Sequence, residues 1–251
     1  MMRALVTGAA TGLARGVAIG LAQTGWFERV AVTYRQTPAD EVLTRIAETG
    51  VAASAHRVEF LGDEASVVAA LDAALVDGPY DVLVHGVGPM TIKRFEKTTA
   101  EDYREMFDGN VRSAILAARA VLPSMRERGF GRIVVFGMNG SSITRPAKGF
   151  SLHLAAKSAL VAFARTLALE EGARGITVNV VEPGDIRDKT LSRAEALTRT
   201  APNPRGRPGT AEDVASAVRF FSDPANDFVT GAVLAVTGGL QTAAEPKAGQ
   251  A

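Results

Sequence analysis

Apolar runs of strand length recur along this chain, and each is followed by a longer segment in which apolar residues return every three or four positions. The runs Arg3–Thr7, Arg29–Tyr34, Ala52–Val58, Asp81–His85, Arg132–Gly137, Ile176–Val181 and Val233–Val236 predict strands. The segments Leu13–Thr24, Ala39–Thr49, Glu64–Val76, Ala100–Arg128, His153–Glu171 and Ala211–Ser222 predict helices. Strict alternation of the two kinds is the pattern of repeated strand–helix units, which build a parallel sheet. The strand runs are continuously apolar rather than alternating, as they must be when helices cover both faces. The expectation is a single α/β domain over residues 1–241 with a seven-stranded, parallel, doubly wound sheet.

Two stretches break the rhythm. After Pro183 the chain runs from Gly184 to Gly209 through closely spaced charges and several prolines. An irregular segment of this length beside strand ends is either a substrate lid, at about 184–209, or a solvated surface excursion. The last ten residues, 242–251, are small and polar with one proline and predict a flexible tail.

Composition narrows the function. The chain has 251 residues, 47% of them hydrophobic, enough to bury a sizeable core without disulfides. Cysteine is absent, which removes thiol redox chemistry and cysteine–zinc sites and fits a reducing compartment. Twenty-eight basic residues against twenty-seven acidic ones, with no basic run, argue against nucleic acid as a partner. The apolar stretch at Met1–Val6 is too short for a signal peptide or a membrane span, so a cytoplasmic protein with no membrane partner is expected.

The chemistry clusters at two places. The first is Leu5-Val6-Thr7-Gly8-Ala9-Ala10-Thr11-Gly12-Leu13-Ala14-Arg15-Gly16, a strand passing through small residues into a helix. Gly8 permits a tight turn, and Gly12 lets a pyrophosphate approach backbone N–H groups at a helix N-terminus. Such a turn opening the first strand–helix–strand unit predicts a dinucleotide site, although glycines also occupy these turns for packing alone. An acidic residue at the end of the second strand would bind the adenosine ribose and repel a 2′-phosphate; Tyr34-Arg35-Gln36 stands there instead. Arg35, with Arg15 on the first helix, can pair with a phosphate, which favours NADPH over NADH unless both are ordinary surface charges.

The second place is Ser151-Leu152-His153-Leu154-Ala155-Ala156-Lys157, at the start of a long apolar helix between two strands. His153 and Lys157 are four residues apart and project from one helix face toward the carboxyl ends of the strands. His56, His85 and His153 do not complete a metal site by spacing, and no metal is expected.

Taken together, Thr7-Gly8-x-x-x-Gly12-x-Ala14, the turn His85-Gly86-Val87-Gly88, Asn110, Lys157, Glu182-Pro183-Gly184, Thr230-Gly231 and Thr237-Gly238-Gly239 resemble the short-chain dehydrogenase/reductase family in order and spacing over residues 3–240. The resemblance implies a Rossmann fold that reduces a carbonyl, a ketone or a 3-oxoacyl-like group, with nicotinamide hydride. It also implies a homodimer or homotetramer, in keeping with the Ala-rich apolar helices around Val111–Leu122 and Ala155–Leu169. By the same resemblance Gly8, Thr11, Gly12, Leu13, Gly86, Lys157, Pro183, Gly184 and Ile186 line the cofactor.

Several positions depart from the family pattern. Ala14 replaces a glycine, and Phe60 stands where an Asp or Asn usually meets the adenine. The catalytic tyrosine of the Tyr-x-x-x-Lys pair is His153, and Met138 takes the place of the catalytic serine ahead of a slightly longer loop. Asn139, Ser141 and Ser142 could each substitute for that serine, or simply bond their own backbone. Imidazole is an adequate acid, but it is shorter than a phenol and the neighbouring Lys157 disfavours its charged form. His85 is open between a polar backbone cap and a role beside the nicotinamide. Two functions follow: a reductase using His153, Lys157 and Asn110, or a non-catalytic dinucleotide-binding relative that acts as sensor or scaffold. Substrate choice falls to the lid and to the loop Met90–Thr99.

Overall fold

The computed structural model describes residues 1–184, 186 and 188–240. The predicted tail at 242–251 therefore lies outside the described residues, as do Asp185 and Arg187 of the predicted lid. Seven strands form one sheet in the order β3-β2-β1-β4-β5-β6-β7. They are β1 (Met2–Thr7), β2 (Phe27–Tyr34), β3 (Ala52–Arg57), β4 (Val82–His85), β5 (Gly131–Phe136), β6 (Ile176–Pro183) and β7 (Val233–Val236), and every pairing is parallel. The seven predicted strands are all present.

Strand order reverses direction between β1 and β4, so the loops leaving these two neighbours diverge and open a crevice at their carboxyl ends. Alternate side chains feed separate cores. Ala4 and Val6 of β1 face the layer of α1 (Gly12–Ala22), α2 (Asp40–Ala47) and α8 (Ala211–Ser222). Leu5 between them faces α3 (Glu64–Ala74), α5 (Ser113–Arg128) and α6 (Ser151–Glu171). Both faces of the sheet are thus covered, and its central strands show no polar side, whereas the edge strand β3 carries Ser54, His56 and Arg57 and is only partly buried.

The stretch 151–174 is apolar and long enough by length and composition to cross a bilayer. In this fold it lies against β6 and buries Ala156, Leu160, Val161, Ala164, Leu167 and Ala168. It is the core helix of an α/β domain, and its buried face carries His153 and Lys157 as well.

The predicted helix Ala100–Arg128 is not continuous. The structure divides it into α4 (Ala100–Phe107), a π-helical turn at Asp108–Arg112 and α5. The loop after β4 presses on this turn: a Cβ on Gly109 would stand 2.4 Å from Pro89 Cγ. The widened turn carries Asn110 inward, where it is fully buried. Periodicity alone cannot register one extra residue in a turn packed against a remote loop.

The predicted lid is partly ordered by local capping. Ser192 and Glu195 form a capping box on α7 (Arg193–Ala196), and Arg207 grips Asp213 of α8 through two 2.8 Å bonds.

Helices α1 and α8 cross at two glycines one turn apart. A Cβ on Gly16 would lie 2.4 Å from Ala211 Cβ, and one on Gly20 would lie 2.8 Å from Ala215 Cβ. Larger residues must force the helices apart. Gly16→Val is expected to cost about 1–3 kcal/mol in urea denaturation. Gly172→Ala, in right-handed backbone with nothing within 4 Å, is expected to be neutral or slightly stabilising.

Candidate active site

The first glycine turn is a fixed cradle. Gly8 and Gly12 have φ of +66° and +67°, conformations that glycine adopts without strain. Gly8 N–H donates to Thr33 Oγ1 at 3.0 Å, tying the turn to β2. Thr11 at the N-cap of α1 makes no side-chain cap bond and the first turn has no acidic residue, so the opening N–H groups are left to a ligand.

Two cavities flank this cradle and share Gly8, Thr11, Gly86 and Gly88 as walls. One, of about 400 Å³, is enclosed by the glycine turn, Met138, Pro183-Gly184, His153 and Lys157. The other, of about 350 Å³, runs along Thr33–Thr37 and Val58–Leu61. A bent trough over a glycine turn at the reversal of strand order fits a dinucleotide.

Of the expected cofactor residues, Gly8, Thr11, Gly12, Leu13, Gly86, Lys157, Pro183, Gly184 and Ile186 line the first cavity, and Arg35 lines the second. Arg15 lines neither. It points into a groove between α1 and α8 and donates to Glu41 at 2.6 Å. Lys189, which the sequence pattern does not single out, lines the first cavity, and its Cδ would lie 3.5 Å from a Cβ on Gly12. Phe60 borders the second cavity, yet it is 4% exposed with its ring edge-on to His85, so it is mainly a core side chain.

The replacement of a glycine by Ala14 is balanced across the crevice. A Cβ on Gly86 would stand 2.4 Å from Ala14 Cβ and 2.6 Å from Thr7 O. One methyl fits at this approach, and Ala14 provides it.

His85 resolves to the structural alternative. Ser113 Oγ donates to Gly109 O at 2.7 Å, so it must accept from His85 Nε2 at 2.9 Å. His85 Nδ1 then accepts from Thr7 Oγ1 at 2.9 Å, and Thr7 Oγ1 in turn accepts from Gly86 N–H at 3.1 Å. Complete burial, with Lys157 as a lesser cause, lowers the imidazole pKa to about 3, and the ring is neutral. It joins β1, β4 and the π turn.

Of the positions expected to be catalytic, His153 and Lys157 line the first cavity and Asn110 lies buried behind Gly88. Lys157, 5% exposed, donates from Nζ to Phe136 O at 2.7 Å. Burial lowers its pKa to about 8. Asn110 donates to Pro89 O at 3.1 Å and to Met106 O at 2.9 Å, while its Oδ1 is buried without a partner. A Cβ on Gly88 would lie 2.9 Å from Lys157 Nζ and 3.0 Å from Asn110 Oδ1, so glycine leaves the gap between them open.

His153 is also 5% exposed. Burial first, and Lys157 second, lower its pKa to about 4, against a hydrogen bond to the Pro89 carbonyl. Its Nδ1 is enclosed and unpartnered, so the nitrogen that donates to Pro89 is Nε2, and the ring is a neutral imidazole.

Met138 lines the cavity where the serine was expected. Ser141 does not replace that serine: it is 1% exposed and donates to Glu182 Oε1 at 2.8 Å. Glu182, fully buried at the end of β6, also accepts from Ser142 N–H at 2.6 Å and Gly140 N–H at 3.2 Å. A carboxylate thus holds the whole loop after β5. Its signal in the sequence is a charge inside an otherwise apolar run. Asn139 lies beside Gly184, whose Cβ would be 3.2 Å from Asn139 Cβ. Among the described residues no group of three or more His, Cys, Asp or Glu side chains is placed to hold a metal ion.

Comparison with known proteins is consistent along the whole chain. The family model described as Enoyl-(Acyl carrier protein) reductase matches residues 8–241. The putative oxidoreductase YtkK of Bacillus subtilis is 33% identical over 251 residues, covering 96% of each chain. The 3-oxoacyl-[acyl-carrier-protein] reductase FabG of Haemophilus influenzae is 31% identical over 241 residues, covering 94% of this chain and 97% of that one. Among solved structures, a blue fluorescent protein from a metagenomic library in complex with NADPH superposes with a TM-score of 0.81 at 33% identity, over 95% of this chain and 97% of that one.

The Glu182 clamp has a measurable consequence. Glu182→Ala leaves three converging donors without an acceptor and is expected to cost on the order of 3 kcal/mol in urea denaturation. Trypsin should then cut faster at Lys148 in the released loop. Glu182→Gln should recover part of the loss, since an amide accepts at one oxygen only.

Proposed function

This chain belongs to the short-chain dehydrogenase/reductase family of NAD(P)-dependent oxidoreductases, and from that premise we propose that it is an NADPH-dependent reductase of a ketone or 3-oxoacyl-like carbonyl with a divergent active site. The observation that carries the reading is the meeting of Lys157, Asn110 and Gly88 beneath the glycine-lined cleft. When bound, NADPH supplies the hydride that adds to the carbonyl carbon. The N–H groups at the start of α1 hold the pyrophosphate, and Arg35 takes the 2′-phosphate. Lys157 engages the nicotinamide ribose, as its place in the family pattern implies. Met138, on the wall of the same cavity, presents an apolar side chain where a hydroxyl would otherwise meet the carbonyl.

Support for NADPH over NADH comes from the end of β2. Arg35 is 51% exposed at its side chain, and its nearest carboxylate, on Glu59, is 3.9 Å away. No carboxylate occupies Tyr34–Thr37 to repel a 2′-phosphate.

A second reading, a non-catalytic dinucleotide-binding sensor or scaffold, is favoured by one observation. The groups nearest the family's two hydroxyl donors are both engaged, His153 by Pro89 and Ser141 by Glu182. NADPH consumption over a panel of ketones, 3-oxoacyl thioesters, quinones and pterins decides between the two. Turnover that is lost in Lys157→Ala supports the reductase; tight binding with no oxidation on any of them supports the sensor.

Arg35→Asp is expected to weaken NADPH binding by tenfold or more, on the order of 1.5–3 kcal/mol for a charge-assisted contact, and to favour NADH. Fluorescence titration with both cofactors measures this, and unchanged affinities would place the 2′-phosphate elsewhere. We also propose that the protein is cytoplasmic, as its sequence predicts, and that it forms a homodimer or homotetramer, because Phe228 is fully exposed and Leu169 is 87% exposed. Light scattering at micromolar concentration should show more than one copy.

A further inference from the structure

We propose that Lys157 is itself the proton donor of this site, passing a proton from Nζ to the oxygen of the carbonyl being reduced. The proposal rests on the reductase reading above and says how such a site works without its tyrosine.

The geometry accounts for the other candidates, and neither Asn139 nor Ser142 lines the cavity. His153 spends its one N–H on the Pro89 carbonyl, and its second nitrogen is enclosed. The Ser141 hydroxyl is held by Glu182, away from the cleft. Lys189, the other cation on the cavity wall, is exposed and lies over Gly12, at the phosphate end of the trough. Lys157 is left, and it is well placed. Phe136 O takes one of its N–H bonds at 2.7 Å, so the ammonium keeps two more.

Its surroundings also favour release of a proton. Among the described residues no Asp or Glu lines the cavity, so no carboxylate neutralises the ammonium. The groups facing it are His85 from β4 and His153 from its own helix, both neutral, with Lys189 across the cavity, the amide of Asn110 from the π turn and a backbone carbonyl from β5. Burial brings its pKa to about 8, close to the working range of a general acid at neutral pH. The missing Cβ of Gly88 leaves room beside Nζ. The unpartnered Asn110 Oδ1 borders that gap and can orient the ammonium or a water that recharges it.

The step balances. An N–H bond of Lys157 breaks as the O–H bond of the product alcohol forms. The hydride that makes the new C–H bond leaves NADPH as NADP⁺, and the neutral lysine amine regains its proton from solvent.

Three measurements test it. In protein without cofactor, lysines carrying ¹³C at Cε are titrated by NMR, and the signal missing from Lys157→Arg is expected to titrate near pH 8, below the ordinary ~10.4. In the second, kcat/KM for a carbonyl substrate at saturating NADPH should stay level from pH 5 to 7 and fall about tenfold per pH unit above the Lys157 pKa. His153→Gln, which keeps an N–H for Pro89 but cannot titrate, should leave that limb in place. A His153 acid would instead make activity fall from about pH 4 upward, and His153→Gln would abolish it. Third, Lys157→Ala should lose about a hundredfold or more, with partial rescue by added primary amines that follows their ammonium concentration. Lys157→Arg, which keeps the charge but cannot surrender a proton, should remain inactive with its fold intact by circular dichroism. Near-wild-type turnover in Lys157→Arg, or a Lys157 signal titrating at the ordinary value, overturns the proposal alone. A wild-type protein that binds NADPH and reduces no carbonyl overturns the reductase reading, and the proposal with it.

Discussion

The crevice depends on one buried relay, in which Gly86 N–H, Thr7, His85, Ser113 and Gly109 O are joined in sequence. Every donor and acceptor in it is used, and in a low-dielectric interior a fully satisfied chain of this kind is rigid. It joins the ends of β1 and β4, where the loops diverge, to the π turn that presents Asn110. The mouth of the cofactor trough and the floor of the reaction site are therefore set by the same imidazole. A charged ring would break the sequence, because both nitrogens would then donate; burial holds His85 neutral.

Around that frame, departures from the family pattern come in matched pairs. Ala14 adds a methyl exactly opposite the missing side chain of Gly86. The displaced serine loop is gathered onto the buried Glu182 through three hydrogen bonds. His153, too short to stand in for a phenol, is turned onto the Pro89 carbonyl that also accepts from Asn110. Clash and polar group alike meet partners on other elements, except His153 Nδ1, which is enclosed without one. Such matching is what a folded, ordered site requires of a sequence that has drifted from its relatives.

Much of this was legible in the sequence because it is written in local patterns. Apolar runs gave the strands in order, and the glycine spacing placed the cradle. The four-residue step from His153 to Lys157 put both on the buried face of α6. What was hidden depends on contacts between distant segments. The π turn packs Gly109 against Pro89, and a window over 100–128 contains no sign of that loop. Arg15 looks like a phosphate ligand from its place on α1, but the helix turns it toward Glu41 instead. His85 was open between two readings until its two hydroxyl partners, Thr7 and Ser113, were found on other elements. Glu182 could be seen as an odd charge in an apolar run, whereas its role needed the loop that folds over it.

Lys157 occupies the tension between these layers. A buried ammonium with a carbonyl and, among the described residues lining its cavity, no carboxylate against it is costly, and the protein bears that cost at the point where its cleft is lined by glycine backbone. A carboxylate there would lower the cost and also fix the proton, which would leave the lysine an inert structural cation like Arg126 on Glu171. Burial does the opposite: it brings the charged and uncharged forms of the amine to equal free energy near pH 8. Burial alone thus poises Lys157 for proton transfer, and burial, first among the causes, also holds both histidines neutral.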